Sequence, residues 1–448
     1  QNRHRSAYDH DGDGYSEIPK LHGQTIGFRS FLKTTTYSKL TFEYHHMEEF
    51  RRGGDLLNRP PHEANVAEQT EHSINGGGLK FDYFSPNENH RFNVFASAQH
   101  INRDSYYGPG DRDPLDAYGN TTDLNWMAGS QYVYSFGKCI FMPSDLTAGI
   151  EFNQDKLEDN MWGYNRTVDQ KVNIGSAFLQ NEWKNDHWGF LIGGRLDKHN
   201  LIDHVIFSPR ANLRYNPTEN INLRFSYSSG FRAPQAFDED LHVENVGGNV
   251  AMVELADNLK EERSQSLSAS ADIYHRFGAF QVNFLVEGFY TKLSDVFALT
   301  DGEVVDGILT RTRHNASGAQ VLGLTLEGKM AYLNKIQVQA GVTLQQSHYS
   351  KPHIWNKEAP AVKKMMRTPN TYGYFTATYT PIKPLSIALS GTYTGSMLVP
   401  HEPVPGFLEN PITVNTKDFF DIGLKAAYDF KLYKSMNLQL NAGIQNIF

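Results

Sequence analysis

Apolar and polar side chains alternate one for one through much of this chain. Between 219 and 231, Ile221, Leu223, Phe225 and Tyr227 interleave with Asn222, Arg224, Ser226 and Ser228. Between 336 and 345, Ile336, Val338, Ala340, Val342 and Leu344 interleave with Gln337, Gln339, Gly341, Thr343 and Gln345. Leu438, Leu440, Ala442 and Ile444 do the same against Asn437, Gln439, Asn441 and Gln445. Neighbours on a strand point to opposite faces, so each run has one apolar and one polar face. The runs cover about 10 residues, longer than the ~5–6 usual in soluble sheets and close to the ~9–11 that a tilted strand needs to cross a bilayer. In that setting the apolar face meets lipid and the polar face lines a wet lumen.

Composition agrees by exclusion. Mean hydropathy is -0.52, and no apolar run of about 18 residues occurs, which excludes transmembrane helices but not a barrel. Lys plus Arg is 42 against 50 Asp plus Glu, a net charge of -8, so nothing suggests a nucleic-acid partner. Cys139 is the only cysteine, which excludes an internal disulfide and a thiolate zinc cluster. The chain opens on Gln1 in a polar stretch with no signal peptide, and reads as a piece of a longer protein.

The connections separate a membrane barrel from a soluble sandwich. Short turns near 33–36, 85–89, 184–186, 216–219, 276–278, 333–334 and 380–383 alternate with long loops. The long ones fall near 48–71, 103–123, 156–169, 232–262, 349–370 and 398–416. Outer-membrane barrels keep tight turns on the periplasmic side and large loops outside. About 18 strands are predicted, from 21–33 to 436–447, in an all-β, antiparallel transmembrane β-barrel. Trp183, Trp188, Tyr215, Tyr379 and Tyr393 are expected at the membrane interfaces.

Residues 208–234 read SPRANLRYNPTENINLRFSYSSGFRAP. Ser208-Pro209-Arg210 opens one strand and Gly230-Phe231-Arg232-Ala233-Pro234 ends the next. Together they resemble the barrel signature of TonB-dependent outer-membrane receptors, of the cobalamin and siderophore receptor type. Asn258-Leu259-Lys260-Glu261-Glu262-Arg263-Ser264 is similar to the family's entry into a following strand, with Glu261 where the family often has proline. Asn441 to Phe448 resembles a segment near the family's last strands, with Ile447 in place of leucine.

The resemblance implies a barrel of about 22 strands around an N-terminal plug. Residues 1–448 would supply strands 4 to 21, without the plug. It also implies a multi-pass, monomeric protein of the Gram-negative cell outer membrane. Such a receptor imports a large metal chelate, with energy from the TonB-ExbB-ExbD complex through the plug, and performs no covalent chemistry. Outer-membrane lipid, lipopolysaccharide and a surface lipoprotein are the other partners it suggests. Cobalamin leads the substrates, followed by ferric siderophore and haem. A barrel enzyme and an adhesin are the non-transport alternatives; nothing fixes a nucleophile beside a base.

Residues 9–17 carry the metal candidate. Asp9, Asp11, Asp13 and Gly14 match the first half of a calcium loop, with Tyr15 and Glu17 as further oxygen donors. Lys20 stands where a bidentate glutamate would complete an EF-hand, so other groups would have to finish the shell. Cobalamin receptors of the family carry acidic calcium loops in this region, which ties Ca2+ to that substrate. Substrate contact is assigned to Tyr106, Tyr107, Asp111, Asp113 and Asp116, where aromatic faces and carboxylates mix. Arg51 and Arg52 could receive an anionic group. Histidines near the outer loops (His4, His10, His62, His72 and His348) and the adjacent pair His45 and His46 keep haem open.

Overall fold

The computed structural model describes residues 2–108, 117–164, 166–235, 250–305, 308–356, 358–401, 408–434 and 436–447. The first strands are β1 (Asn2–Arg5), β2 (Ser16–Thr35), β3 (Ser38–Gly54), β4 (Ala67–Phe84), β5 (His90–Gly108) and β6 (Tyr118–Cys139). Next come β7 (Met142–Met161), β8 (Arg166–Lys184), β9 (Trp188–His199), β10 (Ile206–Thr218), β11 (Ile221–Arg232), β12 (Val250–Leu255) and β13 (Glu262–Phe277). They are followed by β14 (Phe280–Ser294), β15 (Phe297–Val305), β16 (Ile308–Asn315), β17 (Ala319–Tyr332), β18 (Ile336–His353) and β19 (Val362–Lys364). The last are β20 (Thr371–Ile382), β21 (Leu385–Thr394), β22 (Leu398–His401), β23 (Ile412–Asn415), β24 (Phe419–Tyr433) and β25 (Met436–Ile444).

Twenty of these strands form one antiparallel sheet; setting aside the short β1 and β19 leaves the 18 long strands that the alternation predicts. Each long strand pairs with its long neighbours in sequence, and the outermost two, β2 and β25, have one long partner each among the described residues. Register converts the sequence pattern into two surfaces. Leu223, Ala271, Val286, Leu326 and Val342 lie side by side across β11, β13, β14, β17 and β18. The adjacent row is Arg224, Ser270, Glu287, Thr325 and Thr343. The first row belongs to a lipid-facing band that keeps Ile150, Ile192 and Phe225 exposed at 63%, 63% and 47%. The second row is polar and faces the lumen, where the Thr325 and Thr343 hydroxyls lie 3.0 Å apart.

Aromatic rings gather at the tight-turn end. Trp188 stacks between Phe190 at 5.6 Å and Tyr215 at 4.2 Å, and Phe141 stacks on Trp183 at 5.6 Å. Phe280 meets Tyr332 at 4.6 Å and Tyr428 meets Phe430 at 4.5 Å. These amphipathic rings suit the boundary between lipid and water.

The long-loop end differs from the sequence expectation. β3 to β8 run for 17 to 22 residues, about twice the ~9–11 needed to cross. The ends of the expected loops near 48–71, 103–123 and 156–169 are therefore ladder, as far as Gly54, Gly108 and Met161 and again from Ala67, Tyr118 and Arg166. Above the lipid both faces meet water, so the alternation fades while backbone pairing continues. The expected strand 312–332 divides into β16 and β17. A Cβ at Gly318 would lie 2.2 Å from the Leu293 carbonyl oxygen, so only glycine permits that close crossing. β16 pairs with β15 and, in parallel, with β12, which makes a separate three-stranded sheet at this end.

Candidate ligand-recognition end

The acidic loop stands between β1 and β2, closed at its base by backbone hydrogen bonds between Tyr8 and Ile18. One carboxylate oxygen from each of Asp9, Asp11, Asp13 and Glu17 falls within 4.8 Å of the others. The loop's own backbone arranges them. Asp9 accepts N–H bonds from Gly12 at 2.7 Å and Gly14 at 2.9 Å, Asp13 accepts from Tyr15 at 2.8 Å, and Glu17 accepts from His10 at 2.6 Å. Gly12 and Gly14 have φ of 79° and 92°, which gives the D-x-D-G-D-G spacing its physical reason. All four carboxylates are exposed. The donor set is wholly hard oxygen and fits a calcium-sized cation. Tyr15 follows in the same turn and donates its N–H to Asp13.

The other sequence candidates separate. Tyr106 and Tyr107 are 2% and 3% exposed, packed with Ala67, Ala117, Met161 and Tyr164. Both rings are therefore buried within the protein rather than set on an open loop surface. The reason is that β5 continues to Gly108, so these rings are ladder residues that chain from both sides covers. Arg52, 2% exposed, is likewise buried and donates to the carbonyls of Gly53 and Asp55. Burial lowers its pKa, and Asp55, Tyr106 and Tyr118 oppose that shift. Arg51 points the other way, half-exposed, and bonds Glu49 at 2.7 Å. Asp111, Asp113 and Asp116 lie outside the described residues.

Several histidines of the haem expectation have protein partners. The His62 ring lies 2.9 Å from the Tyr118 hydroxyl, and His46 lies 3.0 Å from Asn75. The structure adds a feature the sequence reading missed. Between the β15–β16 hairpin and the end of β18 lies a cavity of about 440 Å³, with His314, Lys351, His353 and Trp355 in its wall. Consecutive residues 351–356 line it where β18 ends at His353, so no strand alternation marks them in the sequence.

Polar ties stiffen this end. Asp159 is fully buried and sits 2.9 Å from Arg166 and 3.6 Å from Arg103, and it accepts the Thr121 hydroxyl at 2.6 Å. Glu261 bonds Arg263 at 2.7 Å and His204 at 3.0 Å across a 57-residue separation.

An antiparallel sheet with an outward apolar band, an aromatic girdle at its tight turns and a built-up opposite end defines an outer-membrane receptor barrel. The family model described as "TonB dependent receptor-like, beta-barrel" matches residues 2–447, and the chain belongs to that family. Its members are receptors and transporters of the Gram-negative outer membrane and not enzymes. Solved structures share the fold. The siderophore receptor PirA from Acinetobacter baumannii aligns with TM-score 0.73 at 13% identity, over 97% of this chain and 68% of that one. A variant of the ferric enterobactin receptor PfeA from Pseudomonas aeruginosa gives 0.73 at 15%, over 99% and 67%. The ferric-catecholate import receptor Fiu from Escherichia coli K12 gives 0.72 at 12%, over 100% and 72%. Among curated proteins nothing matches the chain.

Proposed function

We propose that this chain is the receptor barrel for a ferric siderophore, which TonB-coupled transport carries across the outer membrane. The observation that carries this reading is the long-loop end, where β3 to β8 continue as paired strands past the lipid and a separate three-stranded sheet is added. Large extracellular structure on a barrel serves recognition of solutes outside the cell. The solved relatives named above add support for siderophore over cobalamin, because their names are those of siderophore, enterobactin and catecholate receptors. Unpaired strand edges are not tolerated in hydrocarbon. Among the described residues β25 pairs only with β24, and β2 beyond β3 only with four residues of β1. We therefore read the sheet as part of a larger barrel in which further strands meet those edges.

Calcium at Asp9, Asp11, Asp13, Tyr15 and Glu17 is the second part of this proposal, with a structural role. It would tie the segment before β2 into one conformation. The test is binding to the full receptor in detergent, using ferric enterobactin and cyanocobalamin, each with calcium and with a chelator. Saturable binding of the ferric complex supports the reading. Binding of cyanocobalamin alone, lost on chelation, would replace it.

A further inference from the structure

Above the lipid band, the outer face of β7 and β8 carries four charges in an order that ion pairing between the strands does not explain. Lys156 lies directly opposite Lys171, and two residues further from the lipid Glu158 lies directly opposite Asp169. Ile150 and Phe152 share this face of β7 and belong to the exposed apolar band, so all four charged side chains point outward. The β7–β8 ladder has no bulge between Ser144 and Met161, so the register holds from lipid to loop. Facing residues on adjacent strands have Cβ atoms ~4.5–5.5 Å apart, and like charges placed there repel. Exchanging Lys171 with Asp169 would give two salt bridges across the strands. The chain instead sets a cationic row nearer the lipid and an anionic row beyond it. Lys156 and Glu158 bond each other along β7. The Lys171 and Asp169 side chains take no salt bridge or hydrogen bond among the described residues. On β6 the next residues in the two rows are Leu124 and Thr122, which bring no charge.

Depth supplies a partner for this order of charge. Lys156 stands 14 residues past Met142, where β7 leaves its tight turn. At ~3.3 Å per residue and a tilt of ~40°, that is about 35 Å, roughly 10 Å beyond an apolar band ~25 Å tall. Lipid headgroups occupy that layer. The carboxylate row lies ~5 Å further out, close to the phosphorus-to-nitrogen span of phosphoethanolamine. We propose that this face of β7 and β8 binds an outer-leaflet lipid by a phosphoethanolamine headgroup, with its phosphate on Lys156 and Lys171 and its ammonium on Glu158 and Asp169. The phosphate is the end of that group joined to the lipid, so the cationic row belongs on the lipid side. Leu124 beside Lys156, and Phe152 and Ile150 below it, are exposed at 39%, 37% and 63% and meet the acyl chains. An anionic headgroup without an amine would leave both carboxylates facing a phosphate layer with no cation. The site acts on the lipid around the barrel and is independent of the chelate that the receptor carries.

The test is native mass spectrometry of the full, delipidated receptor in detergent, titrated with dioleoyl phosphatidylethanolamine, phosphatidylcholine or phosphatidylglycerol. Two double variants accompany the natural chain, Lys156→Gln with Lys171→Gln and Glu158→Gln with Asp169→Asn. Heat-modifiability on electrophoresis confirms that each variant folds. The expected result is one phosphatidylethanolamine retained about tenfold more tightly than either other lipid, as for charge-assisted hydrogen bonds that only a primary ammonium completes. Each double variant is expected to remove that preference. The lysine pair should also lower retention of phosphatidylglycerol, and the carboxylate pair should leave it unchanged or raise it. Equal retention of phosphatidylglycerol and phosphatidylethanolamine by the natural chain overturns the role of the carboxylates. Equal retention of phosphatidylcholine overturns the preference for a primary ammonium. A preference for phosphatidylethanolamine that survives both double variants places the headgroup elsewhere on the barrel and overturns the site. Soluble O-phosphoethanolamine that competes as well as the lipid overturns the lipid as its source.

Discussion

Phe225 and Ser226 are neighbours in β11 that face opposite ways, so arginine at each position in turn separates lipid from lumen. Phe225 pairs with Leu213 and Ala269, and Ser226 with Asn212 and Ser268. Phe225 stands about five residues above its turn. At ~3.3 Å per residue and a tilt of ~40°, that is about 13 Å, near the midplane of an apolar band ~25 Å tall. An arginine facing lipid at that depth costs roughly 2–4 kcal/mol. Phe225→Arg should therefore shift the folding equilibrium by about 30- to 1,000-fold. Ser226→Arg enters a water-filled lumen lined by small polar groups and should stay within about 0.5 kcal/mol. The assay is urea titration of the receptor refolded into phosphatidylcholine vesicles, followed by tryptophan emission. A larger loss for Ser226→Arg than for Phe225→Arg would refute the assignment of faces.

Three further outcomes follow from the loop end. Asp159→Ala leaves Arg103 and Arg166 buried beside one another without their carboxylate, a loss of about 3–5 kcal/mol; it should raise amide exchange in the upper halves of β7 and β8, and unchanged exchange would count against the tie. Burial alone would raise the pKa of Glu261, but hydrogen bonds from Arg263, its own backbone and His204 outweigh it and hold the carboxyl below its usual range. That stabilisation is present above the unfolded pKa and is lost as pH falls through the lowered folded value, so pepsin should cut near residues 255–262 only at the acid end of its range. Glu261→Gln should remove that pH dependence, and its persistence would shift the cause elsewhere. Asp11→Asn with Asp13→Asn should abolish terbium luminescence sensitised by Tyr8 and Tyr15, whereas undiminished luminescence would place the cation elsewhere.

What the sequence discloses depends on where each strand lies relative to lipid. In β11 and the lower part of β18 one face touches hydrocarbon and the other water, so Leu223, Phe225, Val338 and Val342 stand out against Arg224, Ser226, Gln339 and Thr343. Above the lipid that contrast disappears. Glu48, Glu49, Arg51 and Arg52 belong to β3, and Asn160 and Thr167 pair across β7 and β8, yet both stretches read as loop. Tyr106 and Tyr107 were expected on a loop surface because their burial depends on residues far away in sequence, among them Ala67, Met161 and Tyr164. The acidic loop was legible because its carboxylates converge through local backbone bonds and two left-handed glycines. The cavity was not, because His314 on β16 and His353 at the end of β18 are far apart in sequence and belong to different sheets.

The most direct measurement is uptake of a radioiron-labelled ferric catecholate by iron-limited Gram-negative cells that carry the full receptor, with and without TonB. Accumulation should require both the receptor and TonB, with loss of transport but not of surface binding when TonB is absent. Equal accumulation without TonB, or none above receptor-free cells for any metal chelate supplied, would contradict it.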